Sequence, residues 1–370
     1  MTDAAADPWT SRFAGLPLAV LHDHLDGGVR PQTLLELADE IGHPLPAGDA
    51  TRLARWFTES ANGGLPGYLA TFEHIMPMLQ TASALRRVAY EAVEDLAADG
   101  VVYAELRFAP EEHRVRRLPL EEAVEAVQDG IEAATRRVRT PAGEPIVVNT
   151  ILCALRTDRY VEEVVQAAVR RRRQDDRLVG VDLAGQENGW PASPHAAALS
   201  AAREGQLHIT IHAGEEGPVS SIADALAAGA ERIGHGVAIA EQVPKDEAAP
   251  GHVLGAVATY LRDTQRCLEL AVTSNMQTGA VSSIAGHPVA RLLRSGFNVT
   301  LNTDNRLISG VSMSGELAAV ADIHRLTTAE AHRMIRNAVR AGFGDERERN
   351  GIVKKIIDPA WEARIAAERD

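Results

Sequence analysis

Cysteine is nearly absent from this 370-residue chain: Cys153 and Cys267 are the only two. Two thiols cannot build a disulfide framework, and neither belongs to a Cys-x-x-Cys pair. The sequence therefore points to a reducing compartment and excludes a cysteine-ligated zinc site. Lysine is almost as scarce, with Lys245, Lys354 and Lys355 alone. Arginine supplies the other basic residues, a bias to which no function is attached. The 38 basic residues face 51 acidic ones, for a formal net charge of −13. A field of that sign repels phosphate and argues against a general binder of nucleic acid or anionic membrane. No apolar run reaches the roughly 18 residues that a membrane-spanning helix needs. Residues 1–10 lack the basic start and apolar stretch of a secretory signal, so the chain reads as cytoplasmic.

What is present is an ordinary globular mixture, 45% hydrophobic and 24% charged, with enough apolar mass for a large core. Length alone suggests two or three domains, but barrels of alternating strands and helices spend this much chain on one core. Eight aliphatic or β-branched runs read as strands: 18–26, 101–108, 145–152, 178–183, 207–212, 232–237, 267–273 and 297–303. Helical periodicity fills the gaps, as in 120–138, 159–173, 195–204 and 288–295. Strand alternating with helix implies parallel pairing, and eight such units fit a (β/α)8 TIM barrel in the α/β class. An open doubly wound sheet is the alternative, but no dinucleotide fingerprint or switch-point glycine loop supports it. Residues 42–80 make a long insertion after the first strand, where a lid would sit, and 315–370 read as a C-terminal helical segment broken near 342–351. With no internal repeat or low-complexity linker, 1–370 is expected to be a single domain.

The first chemical motif is His22-Asp23-His24. Residues two apart on a strand share a face, so His22 and His24 project together and Asp23 points away. Alone, such a pair is more often two ordinary polar residues than a ligand set. Its weight comes from other strand ends: His212 closes the fifth run and Glu215 follows it, His235 lies on the sixth, and Asp304 follows the eighth. A barrel gathers its site from the C-terminal ends of several strands. His22, His24, His212 and Asp304 can therefore converge, and three imidazoles with one carboxylate suit a borderline divalent ion, zinc first, with iron or cobalt also compatible. His43, His74, His113, His195, His208, His252, His287, His324 and His332 fall on loops, on helices or away from strand ends, and are read as solvated or structural. His208 begins the fifth strand, at the far end from His212.

The ordered motifs His22-Asp23-His24-Leu25-Asp26-Gly27, Tyr103-Ala104-Glu105-Leu106-Arg107-Phe108-Ala109-Pro110, Asp182-Leu183-Ala184-Gly185-Gln186-Glu187, His212-Ala213-Gly214-Glu215, Ile233-Gly234-His235-Gly236, Thr273-Ser274-Asn275 and Leu301-Asn302-Thr303-Asp304 carry a resemblance. The chain resembles the adenosine deaminases of the amidohydrolase superfamily. The resemblance implies one Zn²⁺ per chain on His22, His24, His212 and Asp304. It implies that Glu215 protonates purine N1 and that His235 helps to deprotonate and orient the attacking water. Substrate would meet His24, Asp26 at the ribose 5′-hydroxyl, Gly185 at N3 through its backbone N–H, and the residue at 305 at N7. The expected reaction is hydrolysis of adenosine and 2′-deoxyadenosine to inosine and 2′-deoxyinosine with release of ammonia, within purine nucleoside metabolism. Its chemistry needs hydroxide at neutral pH and a proton on the ring nitrogen toward which attack pushes electrons. To give that proton, Glu215 needs a raised pKa or a proton first taken from water. The cysteine-ligated deaminase design, with its H-x-E and P-C-x-x-C pattern, is absent.

One departure stands out. The family commonly places a second aspartate and then proline after the metal aspartate, whereas this chain has Asn305 and Arg306. An asparagine amide donates at every pH, so N7 recognition can survive. The change leaves room for another 6-aminopurine nucleoside, of aminodeoxyfutalosine type or from specialised metabolism. Relatives acting on free adenine tend to carry glutamate where this chain has Asp26, which favours a nucleoside. A catalytically inactive binding protein is a third reading, opposed by the complete set of ligand and acid–base residues. Tyr68, Leu69 and Phe72 in the insertion either wall the purine or simply pack a helix. Expected partners are a small nucleoside and water, with no nucleic acid and no membrane; oligomeric state is not legible.

Overall fold

Runs of Val, Ile, Leu and Ala buried on both faces are what a parallel sheet covered by helices demands. A computed structural model describes residues 12–245 and 253–368 of the chain, and His252 lies outside them. Its strands are β1 Leu18–His24, β2 Val101–Phe108, β3 Val147–Leu155, β4 Leu178–Ala184, β5 His208–Ala213, β6 Arg232–His235, β7 Cys267–Leu270 and β8 Val299–Leu301. They pair in parallel in sequential order. The β1/β8 seam closes through His24 N–H to the Asp304 carbonyl (2.7 Å) and Asp304 N–H to the His22 carbonyl (2.9 Å). Beside it, Asn302 Oδ1 accepts from the N–H groups of Leu21 and His22 (2.9 and 3.1 Å), standing in for a missing strand partner. The expected (β/α)8 barrel is the observed fold.

The helices pack by ordinary amphipathic rules. Ala82–Ala98 buries Leu85, Val88, Ala89, Ala92, Val93 and Leu96 along one stripe, and Thr81 caps it by accepting from Ala84 N–H. Its neighbour Leu120–Thr135 approaches closely at Gly130, where an added Cβ would stand 2.3 Å from the Arg86 carbonyl oxygen. The C-terminal segment forms Met313–Ile323, Thr328–Ala341, Glu346–Ile352 and Asp358–Ala367, the last joined through a wide turn at Val353–Ile357. Trp361 is fully buried, stacked on His332, and donates to the Pro17 carbonyl just below β1. Among the described residues no helix is long and apolar enough to cross a membrane.

Several expected boundaries shift. The seventh strand ends at Leu270, and Val272–Gln277 is a helix that carries Thr273, Ser274 and Asn275. The third strand starts at Val147 and runs on to Leu155. The break expected over 342–351 narrows, because Asp345 caps a helix beginning at Glu346. The insertion folds as helices Ala50–Ser60 and Gly64–Ala70 followed by short turns at Thr71–His74 and Met76–Met78.

Candidate active site

The C-terminal ends of β1, β5, β6 and β8 bring five side chains to one point. His22 Nε2 lies 3.2 Å from His24 Nε2, which lies 3.3 Å from His212 Nε2. Asp304 Oδ1 is 3.5 Å from His22 Nε2 and 3.4 Å from His24 Nε2. His235 shares the cluster, its ring nitrogen lying within 4.8 Å of those of His22 and His212. Asp304 and His235 both adopt left-handed backbone conformations, φ 57° and 60°, which L residues seldom enter. Such conformations persist only where surrounding structure over-determines them, and here both fall at the end of a barrel strand in the site.

Buried charges hold these ligands from behind. His22 Nδ1 donates to Glu269 Oε2 and His212 Nδ1 to Asp182 Oδ1, each at 3.0 Å. A carboxylate only accepts, so both rings keep the proton on Nδ1 and turn an Nε2 lone pair inward. Arg107 clamps both carboxylates, with Nη1 2.9 Å from Asp182 Oδ2 and Nη2 2.8 Å from Glu269 Oε2. Beneath it Arg232 pairs with Glu105 and Glu269 at 2.6 Å each. Such charges are tolerable in the interior because each has partners. Asp304 Oδ2 accepts from Ser274 Oγ at 2.6 Å. Two Nε2 lone pairs fixed inward, a third Nε2 and a carboxylate oxygen converge on one point, and this donor set fits zinc.

Glu215 sits beside the cluster with Oε2 3.4 Å from His235 Nε2, and its Oε1 accepts from Thr278 Oγ1 at 2.9 Å. Burial, reinforced by the negative charge of Asp304, raises its pKa to about 8. It is therefore a proton donor at neutral pH. The turn that carries it is held by Glu187. That carboxylate accepts from the N–H groups of Gly214 (2.5 Å), Glu215 (3.1 Å), Glu216 (3.1 Å) and Gly217 (2.9 Å), and from Ser221 Oγ.

A cavity of about 350 Å³ opens over these groups, lined among others by His24, Asp26, Gly185, His212, Glu215, His235, Asp304 and Asn305. That volume suits a small ligand. Asp26 is buried on the short turn after β1 with Oδ1 unpartnered, and burial raises its pKa to about 7. Gly185 takes φ 86°, open to glycine without strain, as it leaves β4. Asn305 Nδ2 donates to Asp304 Oδ1 at 2.9 Å, and its Oδ1 has no partner. Arg306 turns away from the cavity, with Nε 2.9 Å from Asp23 Oδ2 and Nη1 3.7 Å from Asp95. Among the described residues no lysine or arginine lines the cavity. Tyr68, Leu69 and Phe72 all line it, and Tyr68 also packs in the core with its hydroxyl 2.9 Å from Ser309 Oγ. Tyr68 thus packs in the core while Leu69 stays partly exposed at the cavity.

The structure brings His24, Asp26, Gly185, His212, Glu215, His235, Asp304 and Asn305 to one cavity lining, with His22 in the donor cluster beside it, and leaves Arg306 outside. The supports were given no role there: Glu187, Asp182, Glu269, Arg107, Asn275, Thr278 and His287. Most lie within the motifs quoted above, and charged or amide residues inside aliphatic strand motifs were the one available signal. Cys153 also lines the cavity, and His113 and His287 are buried, in keeping with a structural reading.

Residues 17–359 match the family model described as adenosine deaminase. The chain is 46% identical over 369 residues to an adenosine deaminase of Mycobacterium ulcerans, covering 99% of this chain and 100% of that one. Among solved structures it is similar to an adenine deaminase of Arthrobacter aurescens, at TM-score 0.78 and 26% identity over 94% of this chain and 99% of the other. It is similar too to an N6-mAMP deaminase of Arabidopsis, at TM-score 0.78 and 28% identity over 93% and 98%.

Proposed function

Because the chain belongs to the adenosine deaminase family, we propose that it hydrolyses adenosine and 2′-deoxyadenosine to inosine and 2′-deoxyinosine with release of ammonia. The observation that carries this reading is a largely buried carboxyl, Glu215, beside a set of inward-facing metal donors in a cavity of nucleoside size. His22, His24, His212 and Asp304 would hold one Zn²⁺. When bound, that ion lowers the pKa of water toward 7 and so makes hydroxide available.

The chain's own groups do the rest. Glu215 gives its proton to N1, which draws electrons away from C6 as the nucleophile adds. His235, beside Glu215, orients the attacking oxygen. Gly185 N–H donates to N3, and the Asn305 amide donates to N7 after leaving Asp304. Asp26 and His24 meet the 5′ end of the ribose. Tyr68, Leu69 and Phe72, with the rest of 42–80, cover the base as a lid, and 1–370 works as one domain. Two buried free thiols suit a reducing, cytoplasmic setting.

A nucleoside is favoured over a nucleotide because Asp26 and Glu112 line the cavity and, among the described residues, no lysine or arginine does. Asn305 favours a second reading, a modified or 5′-substituted 6-aminopurine nucleoside, since its amide offers both a donor and an acceptor. Ammonia release from adenosine, 2′-deoxyadenosine, adenine, AMP and a 5′-thio-substituted adenosine separates them. Turnover of the first two supports the proposal, turnover of the thio compound alone supports the second reading, and turnover of adenine or AMP alone overturns both.

A further inference from the structure

Four imidazoles crowd the floor of the cavity, yet the proposed ligand set uses three. His235 has the reach to be a fourth nitrogen ligand. What separates it from His22 and His212 is the polarity of the group behind it. Those two rings give Nδ1–H to carboxylates. His235 instead presents Nδ1 to the side-chain amide of Asn275, at 2.9 Å from Nδ2. An amide can turn either its oxygen or its nitrogen to a neighbour, so its direction has to be set from further out.

His287 sets it. The ring is 3% exposed, and burial, with the neighbouring His324, lowers its pKa to about 3, so it is neutral and carries one proton. Its Nδ1 accepts from the Val289 backbone N–H at 3.1 Å. A backbone N–H can only donate, which places the ring proton on Nε2. Nε2–H then donates to Asn275 Oδ1 at 3.2 Å. The Asn275 nitrogen must therefore face His235, and it also points toward Glu215 Oε1, an acceptor at 3.5 Å. Donor cannot face donor, so His235 Nδ1 is bare and its proton lies on Nε2.

We propose that Val289 N–H, His287 and Asn275 form a relay that locks His235 in its Nε2–H tautomer, making His287 a positioning residue for the reaction. The lock has two consequences. It denies the metal a fourth imidazole, which would occupy the place the attacking water needs. It also aims a hydrogen-bond donor at that oxygen, so His235 orients the nucleophile and does not take its proton in this tautomer. Use of the donor rests on the deaminase reading; the tautomer itself does not.

Histidine-selective ¹⁵N labelling of the zinc-loaded protein tests the tautomer directly, with His235 assigned by its disappearance in His235→Gln. The expected spectrum has Nε2 protonated and Nδ1 bare; the reverse overturns the proposal. In His287→Leu the amide is released, so the His235 pattern should become mixed and kcat should fall about 10- to 100-fold with little change in KM. His287→Gln can accept from Val289 and donate to Asn275, and should recover the wild-type pattern and most of the lost kcat. An unchanged His235 pattern in the leucine variant refutes the relay. Should that variant not fold, the wild-type and glutamine spectra still decide. A correct tautomer in a protein inactive on all five 6-aminopurines would sink the deaminase reading alone.

Discussion

Replacing Glu187 by glutamine probes how the acid is held in place, because Glu187 lies outside the cavity lining but grips the turn that bears Glu215. Its Oε2 accepts from the N–H groups of Glu215, Glu216 and Gly217, and its Oε1 from Gly214 N–H and Ser221 Oγ. Glutamine keeps one oxygen and puts an NH₂ against the other set, so either two or three donors lose their acceptor and meet another donor. Hydrogen bonds to a charged group contribute about 1.5–3 kcal/mol each. Glu215 and Glu216 are half-buried, so water recovers part of that loss. A net destabilisation of about 3 kcal/mol follows, equivalent to roughly 5 °C in a chain of this size. The turn should relax enough to misplace the Glu215 carboxyl by about 1 Å, which typically costs about 100-fold in rate. Metal content should hold, because His212 is anchored separately by Asp182. Thermal denaturation, metal analysis and ammonia release on one preparation read all three. A melting temperature within about 1 °C of wild type together with kcat within about twofold would refute the cradle, since the stability and rate effects share one cause.

Glu215→Gln removes the proton donor without removing a ligand, so metal content should stay while kcat falls about 10²–10⁴-fold; loss of metal instead would mean that Glu215 is a ligand. Glu215 must be protonated to serve N1, so kcat/KM for adenosine should fall as pH rises through about 8, and a profile flat to pH 9.5 or so contradicts this. The same raised pKa means that the folded state holds this proton more tightly than the unfolded chain, for which the ordinary value is 4.5. The stability contributed by Glu215 is thus fully present below about pH 4.5 and is lost as pH rises to about 8, a slope that denaturation of Glu215→Gln should lack. Asn305→Asp places a second carboxylate beside Asp304 and makes donation to N7 depend on its protonation, so KM for adenosine should rise with pH where the wild type is flat. Identical pH dependence in the two proteins would remove Asn305 from the N7 role.

Much of the barrel and of its candidate site is legible in the sequence, and what is not has definite physical causes. His22 and His24 were readable because side chains on a strand repeat every two residues. Glu215 was readable because it follows a strand-ending histidine. The sequence extends the seventh strand to Thr273 because Leu270 to Thr273 is aliphatic or β-branched throughout. The chain instead turns into a helix at Val272, which carries Ser274 behind Asp304 and Asn275 behind His235. His287 was set among structural histidines, and only its contact with Asn275 connects it to the cavity. The lid expectation for 42–80 was founded on length; the structure adds that Leu65, Tyr68, Leu69, Phe72 and Met76 face the cavity.

The amino-acid sequence by itself determined the number and order of the strands, the strand ends that carry chemistry, and the type of donor at each. These are local properties, encoded in side-chain periodicity and in the residue at each turn. Tertiary structure alone decided which groups stand behind those donors: Glu187 under its turn, Arg107 across two carboxylates, and His287 behind Asn275. Arg107 lies 75 and 162 residues from its carboxylates and reaches them only across the closed sheet, whereas Glu187 and His287 meet their partners through the folding of the connections between neighbouring strands. The protonation of Glu215 and the tautomer of His235 follow from that closure, because burial and the polarity of a neighbour exist only in the folded chain.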